Sequence, residues 1–121
     1  IIFEVLAHDG YAGDIKLLIA IKYDGTIAGV RVLTHKETPG LGDYIDIAKG
    51  NWIKLFDHES LQKAENAKLP SEERWKVKKD GGEFDYMAGA TITPRAIVKA
   101  VHKSLLYFAA NKVTLFSESK E

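Results

Sequence analysis

The 121 residues balance 17 basic against 17 acidic side chains and contain no cysteine. That excludes disulfides, thiol redox chemistry and cysteine-ligated iron–sulfur clusters, and it leaves no basic excess to engage nucleic acid or an anionic membrane surface. The hydrophobic share of 45 % supports one ordinary core, read as a single domain over residues 1–121, and no apolar run approaches the roughly 18 residues of a membrane span.

The chain opens on Ile1-Ile-Phe-Glu4 without an initiator methionine and reads as a piece of something longer. A glycine-bounded element, Gly10-Tyr-Ala-Gly13, precedes the first long strand and is read as structural. From Asp14 to Tyr23, Ile15, Leu17, Ile19 and Ile21 alternate with Lys16, Lys22 and smaller residues, the period of a half-buried strand. Tyr23-Asp-Gly-Thr26 is a hairpin turn signal, and Ile27 to Thr34 is the returning partner.

That strand runs into His35-Lys-Glu-Thr-Pro-Gly-Leu-Gly42, a Pro-Gly turn with a second glycine two residues on. On physical grounds it is a connector. Its glycines also permit close backbone approach to a flat ligand, to which Leu41 can present an apolar surface. Asp43 to Asp57 carries Ile45, Ile47, Trp52, Ile53, Leu55 and Phe56 without a clean period, which predicts short helices packed on the sheet. Glu59 to Ala67 contains helix formers and is broken at Leu69-Pro70-Ser71. Arg74 to Lys79 and Glu83 to Met87 read as a second hairpin across Asp80-Gly-Gly82.

The most specific stretch is Asp85-Tyr-Met-Ala-Gly-Ala-Thr-Ile-Thr-Pro-Arg95, a turn through Gly89 into a helix. Thr93 suits the N-cap and Pro94 the first helical position, where its missing N–H costs nothing. The helix is expected from Pro94 to about Ala110, with Ile97, Val101, Leu105 and Phe108 on its buried face. Its first turn leaves free N–H groups and the positive end of the helix dipole beside Thr91, an anion site suited to phosphate. Taken together the elements predict an α+β fold: an antiparallel sheet built from hairpins, packed helices, and a C-terminal helix after the threonine turn.

Two strings about fifty residues apart carry a resemblance. Asp85-x-x-Ala-Gly-Ala-Thr-Ile-Thr93 resembles the attachment motif of covalent-FMN domains, and Glu37-Thr-Pro-Gly-Leu-Gly42 resembles a second hallmark of the same proteins. These are the flavin-carrying subunits of the Rnf electron-transport complex and of its relative, the Na+-translocating NADH:quinone reductase. The sequence departs at Ala88, where the family usually has Ser or Thr. The resemblance implies FMN on Thr91 through a phosphoester, with Ala88, Gly89, Ala90, Ile92 and Thr93 around the attachment. It implies Glu37, Thr38, Gly40, Leu41 and Gly42 along the flavin ring, and the flanking Tyr86 and Met87 are the aromatic and sulfur residues to move toward it.

The same resemblance implies an electron-transfer subunit of a membrane-bound, ion-translocating ferredoxin/NAD oxidoreductase, closer to the Rnf type than to the quinone reductase. It is not expected to be an enzyme on its own. Implied partners are the other subunits of the complex and a flavin transferase that takes FMN from FAD. A membrane helix missing from this chain would anchor it, with the domain on the extracytoplasmic (periplasmic) side of the inner membrane. Two rivals stand beside this reading, a domain that binds FMN reversibly and a purely structural domain.

Other chemistries find no support. His8, His35, His58 and His102 lack metal-ligand spacing, and of these only His35 falls in a motif. No Gly-x-Gly-x-x-Gly leads from a strand into a helix, and no nucleophile elbow is visible.

Overall fold

The computed structural model describes residues 1–61, 71–87 and 90–119. Three strands form an antiparallel meander in the order β1 (Ile2–Ala7), β2 (Ile15–Ile21) and β3 (Ile27–Thr34). The central strand alternates as its sequence requires, with Ile15, Leu17, Ile19 and Ile21 buried and the residues between them half-buried. Leu17 faces Val5 and Val32, and Ile19 faces Phe3 and Val30, so one apolar layer crosses all three strands. The β2–β3 connection turns at Gly25, whose φ of +90° suits glycine, and Asp24 accepts the Thr26 N–H at 2.9 Å. That bond holds the Asp24 carboxyl below the usual carboxylate range.

Among the described residues two α-helices follow the sheet, a single turn α1 (Ser71–Arg74) and the long α2 (Ile92–Ser119), which packs on β1 and β2. Ile97, Val101, Leu105 and Phe108 form the fully buried stripe of α2, as their helical spacing predicts. The helix begins two residues before Pro94 and runs beyond Ala110. Between β3 and α2 lie the expected short helices, as 3-10 turns at Gly42–Ile45 and Trp52–Phe56. The expected helical stretch from Glu59 to Ala67 falls mostly outside the described residues.

Two local expectations are corrected. The first is an omission: β1 is a full strand of the sheet, although its run Ile2-Phe-Glu-Val-Leu-Ala7 does not read clearly as one. As an edge strand under a helix it exposes Ile2 and Leu6 on one face and packs Phe3 and Val5 on the other, so both faces are apolar and the alternation is blurred.

The second concerns residues 74–87, which do not form a hairpin. The turn of α1 and a 3-10 turn at Lys78–Asp80 flank one isolated bridge between Val77 and Phe84. Packing decides against the strand pair. Phe84 lies with its ring centroid 4.8 Å from Trp75 and 5.1 Å from Phe56, and the three rings make one aromatic cluster. Arg74 is 1 % exposed and is taken out of any strand by its partners: Glu59 at 3.2 Å, Glu83 at 3.4 Å and the carbonyls of Ser60 and Leu61. Among the described residues no helix is long and apolar enough to cross a membrane.

Candidate functional site

Three segments far apart in the chain meet at the start of α2: the Gly10–Gly13 loop, the His35–Gly42 loop and residues Ala90–Thr93. The His35–Gly42 loop leaves β3 and curls tightly. The Glu37 N–H donates to His35 Nδ1 at 3.0 Å, the Leu41 N–H reaches the Thr38 carbonyl at 3.0 Å, and the Gly40 N–H is held by Asp43 Oδ1 at 2.9 Å. Gly40 has φ of +77°, the left-handed conformation that this curl demands. The curl pushes Leu41 outward, 44 % exposed, and turns Glu37 inward.

Glu37 is 5 % exposed, and both of its carboxylate oxygens are engaged. Oε2 accepts the Ala12 N–H at 2.9 Å, and Oε1 accepts the Thr93 hydroxyl. Gly42 lies directly against this side chain: a Cβ there would stand 3.2 Å from Glu37 Cβ. The carboxylate therefore ties both loops to the first turn of the helix.

The Thr91 carbonyl accepts the Arg95 N–H at 3.1 Å, so Thr91 occupies the N-cap position and Ile92 the first helical one. This corrects the expectation that Thr93 caps the helix. Thr93 sits inside the first turn with its hydroxyl given to Glu37, and Pro94 follows at the third position, where the helix still asks nothing of an N–H. Ile92 and Thr93 carry first-turn amides that the helix itself cannot pair, and Thr91 stands half-exposed beside them. Arg95 turns away and pairs with Asp80 at 2.8 and 3.1 Å.

A further tie comes from Tyr44. Its hydroxyl donates to the Ala90 carbonyl at 2.9 Å and accepts the Met87 N–H at 3.3 Å. Burial raises the phenol above the usual tyrosine range, an effect that the Met87 N–H opposes.

The result is a cleft of 140 Å³. One wall is Glu37, Thr38, Leu41 and Gly42, the other is Ala90 to Thr93, and Tyr11 closes a side. Gly40 and Met87 line a neighbouring recess, which shares Leu41 with the cleft and borders Tyr44. Tyr86 lines neither and packs against the core. Ala88 and Gly89 lie outside the described residues. Sequence reasoning misses Tyr11, Asp43 and Tyr44 as parts of this site. Tyr11 falls in an element that reads as structural, and nothing local marks Tyr44 as a partner of residues 87 and 90.

Residues 10–106 match the family described as FMN-binding domain. The chain is 51 % identical over 117 residues to the G subunit of the ion-translocating oxidoreductase complex of Pseudomonas aeruginosa, covering 97 % of this chain and 52 % of that protein. The corresponding protein of Shewanella loihica matches with the same identity and coverage. The chain thus spans about half the length of the curated relatives it matches. Among solved structures, NqrC of Shewanella oneidensis superposes with a TM-score of 0.59 at 23 % identity, covering 84 % of this chain and 46 % of that one, which shows a shared fold.

Proposed function

This chain belongs to the FMN-binding domain family, and from that premise we propose that it is the flavin-carrying part of the G subunit in an Rnf-type ion-translocating oxidoreductase complex, with FMN joined covalently to Thr91. The observation that carries the proposal is the cleft: the two motifs, distant in sequence, form its opposite walls, and Thr91 opens onto it at the start of a 28-residue helix.

The residues fit the cofactor's chemistry. The first-turn amides at Ile92 and Thr93 and the positive end of the helix dipole favour a phosphodiester at Thr91. The nearby Glu37 carboxylate is engaged by donors of the protein, the Ala12 N–H and the Thr93 hydroxyl. Leu41 offers an exposed apolar surface beside the cleft. At 140 Å³ the cleft lies below the roughly 300–1,000 Å³ of pockets that enclose a small molecule, so part of an FMN stands outside it, open to neighbouring subunits. Bound FMN supplies the electron-carrying chemistry that a polypeptide without cysteine lacks.

Attachment is a phosphoryl transfer. The bond from Thr91 Oγ to the FMN phosphorus forms, the pyrophosphate bond of FAD breaks, AMP leaves, and a base of the flavin transferase takes the hydroxyl proton. The half-exposure of Thr91 gives such an enzyme access. The other partners in this reading are the remaining subunits of the complex and a membrane helix outside residues 1–121, with the domain on the extracytoplasmic side. An identity of 51 % to the Pseudomonas protein, against 23 % to NqrC, favours the Rnf type over the quinone reductase.

The test is intact mass under denaturing conditions after co-expression with an active flavin transferase. Wild type gains the mass of FMN and Thr91→Ala does not. An unmodified wild type, with the transferase active on another substrate, overturns covalent attachment in favour of reversible binding or a structural role.

A further inference from the structure

We infer that Glu37 is a positioning residue that sets the start of α2 for modification at Thr91, acting through Thr93; the inference rests on Thr91 being the attachment residue. The Glu-Thr-Pro-Gly-Leu-Gly string is thereby divided by the structure. Leu41 faces outward at 44 % exposure, while Glu37 faces inward at 5 % and spends both oxygens on the protein.

Its partners define what it does. The Thr93 hydroxyl belongs to the second helical residue, within the turn that the Arg95 N–H closes on the Thr91 carbonyl. The Ala12 N–H belongs to the loop that carries Tyr11 to the side of the cleft. Gly42 leaves room for the base of the Glu37 side chain, since a Cβ there would approach Glu37 Cβ to 3.2 Å. One buried side chain thus fixes the distance between the cleft's two walls and the direction in which the helix leaves Thr91. A buried acceptor that loses its donor is costly, so the arrangement holds as a unit.

The experiment compares Thr93→Val, which keeps shape and removes the hydroxyl, with Thr93→Ser, which restores the hydroxyl, and with Glu37→Gln. Each is incubated with purified transferase and FAD at a temperature where circular dichroism shows it fully folded, and FMN incorporation is followed by intact mass. Hydrogen exchange of the Arg95 amide is measured in parallel. The expected result is incorporation about tenfold slower in Thr93→Val at equal folded fraction, with Arg95 exchange faster by a similar factor. Thr93→Ser recovers most of the loss, and Glu37→Gln, which can still accept one bond, falls between. A purely structural role lowers the melting temperature and leaves the rate of the folded protein unchanged. Folded Thr93→Val with wild-type incorporation and wild-type Arg95 exchange overturns the inference. If wild type accepts no FMN, the attachment reading fails instead, and Arg95 exchange alone decides whether Glu37 holds the helix start.

Discussion

The Tyr44 hydroxyl bonds the Ala90 carbonyl at 2.9 Å across 46 residues of sequence, and accepts the Met87 N–H from the other side of residues 88 and 89. One phenol thus pins both flanks of residues 88 and 89 to the turn that follows the Glu37–Gly42 string. Tyr44→Phe is expected to lose about 1 kcal/mol of stability in urea unfolding, because the ring stays in place while the Met87 donor and the Ala90 acceptor lose a partner.

The same residue gives a pH dependence. Burial raises the folded-state phenol above its ordinary value of 10.0, so the unfolded chain releases this proton first as the solution turns alkaline. Stability from Tyr44 is complete below about pH 10 and is lost as pH rises through the folded-state value. Urea midpoints measured from about pH 8 to about pH 11 should fall more steeply at the top of that range for wild type than for Tyr44→Phe.

Gly40 and Gly42 resist substitution for different reasons. Gly40→Ala forces a side chain onto φ of +77° with nothing within 4 Å to clash, so only backbone strain of about 1–2 kcal/mol is expected. Gly42→Ala has an ordinary backbone but drives a methyl into Glu37, with a cost of about 1–3 kcal/mol. A Gly42→Ala/Glu37→Gly double variant, which removes the Cβ that the new methyl meets at 3.2 Å, separates them. Chemical denaturation should show non-additivity for this pair and near-additivity for Gly40→Ala with Glu37→Gly.

Arg74 is a buried, multiply bonded cation outside the cleft. Arg74→Met is expected to cost about 3 kcal/mol, since it removes the donor to the carbonyls of Ser60 and Leu61 and the cation that Glu59 and Glu83 share. Thermal unfolding measures it directly. Glu59→Gln alone should cost less than Arg74→Met, because Glu83 and the two carbonyls remain.

Much of the fold is readable from residue order. Strict alternation from Ile15 to Ile21 marks the central strand, Asp24-Gly25 its turn, and the spacing Ile97, Val101, Leu105, Phe108 the buried helical face. The residues on both walls of the cleft belong to the two motifs. Local pattern misleads where tertiary partners outweigh it. Trp75-Lys-Val77 has the period of a strand, yet Phe56 and the Arg74 cluster impose another path, and Gly82 sits so close to Lys76 that a Cβ there would lie 2.1 Å from its carbonyl oxygen. Thr93 has the chemistry of a cap, but a buried carboxylate 56 residues earlier claims its hydroxyl. The contributions of Tyr11 and Tyr44 leave no local trace, because each is defined by what the folded chain brings to it.

The ties that build the cleft span 25, 46 and 56 residues, from Ala12 to Glu37, Tyr44 to Ala90 and Glu37 to Thr93. Contacts of such separation form only after their intervening loops have closed. Until those contacts form, Thr91 has no assembled cleft beside it. An enzyme that recognises this geometry must wait for the folded domain, which makes modification at Thr91 a built-in check that the domain has folded.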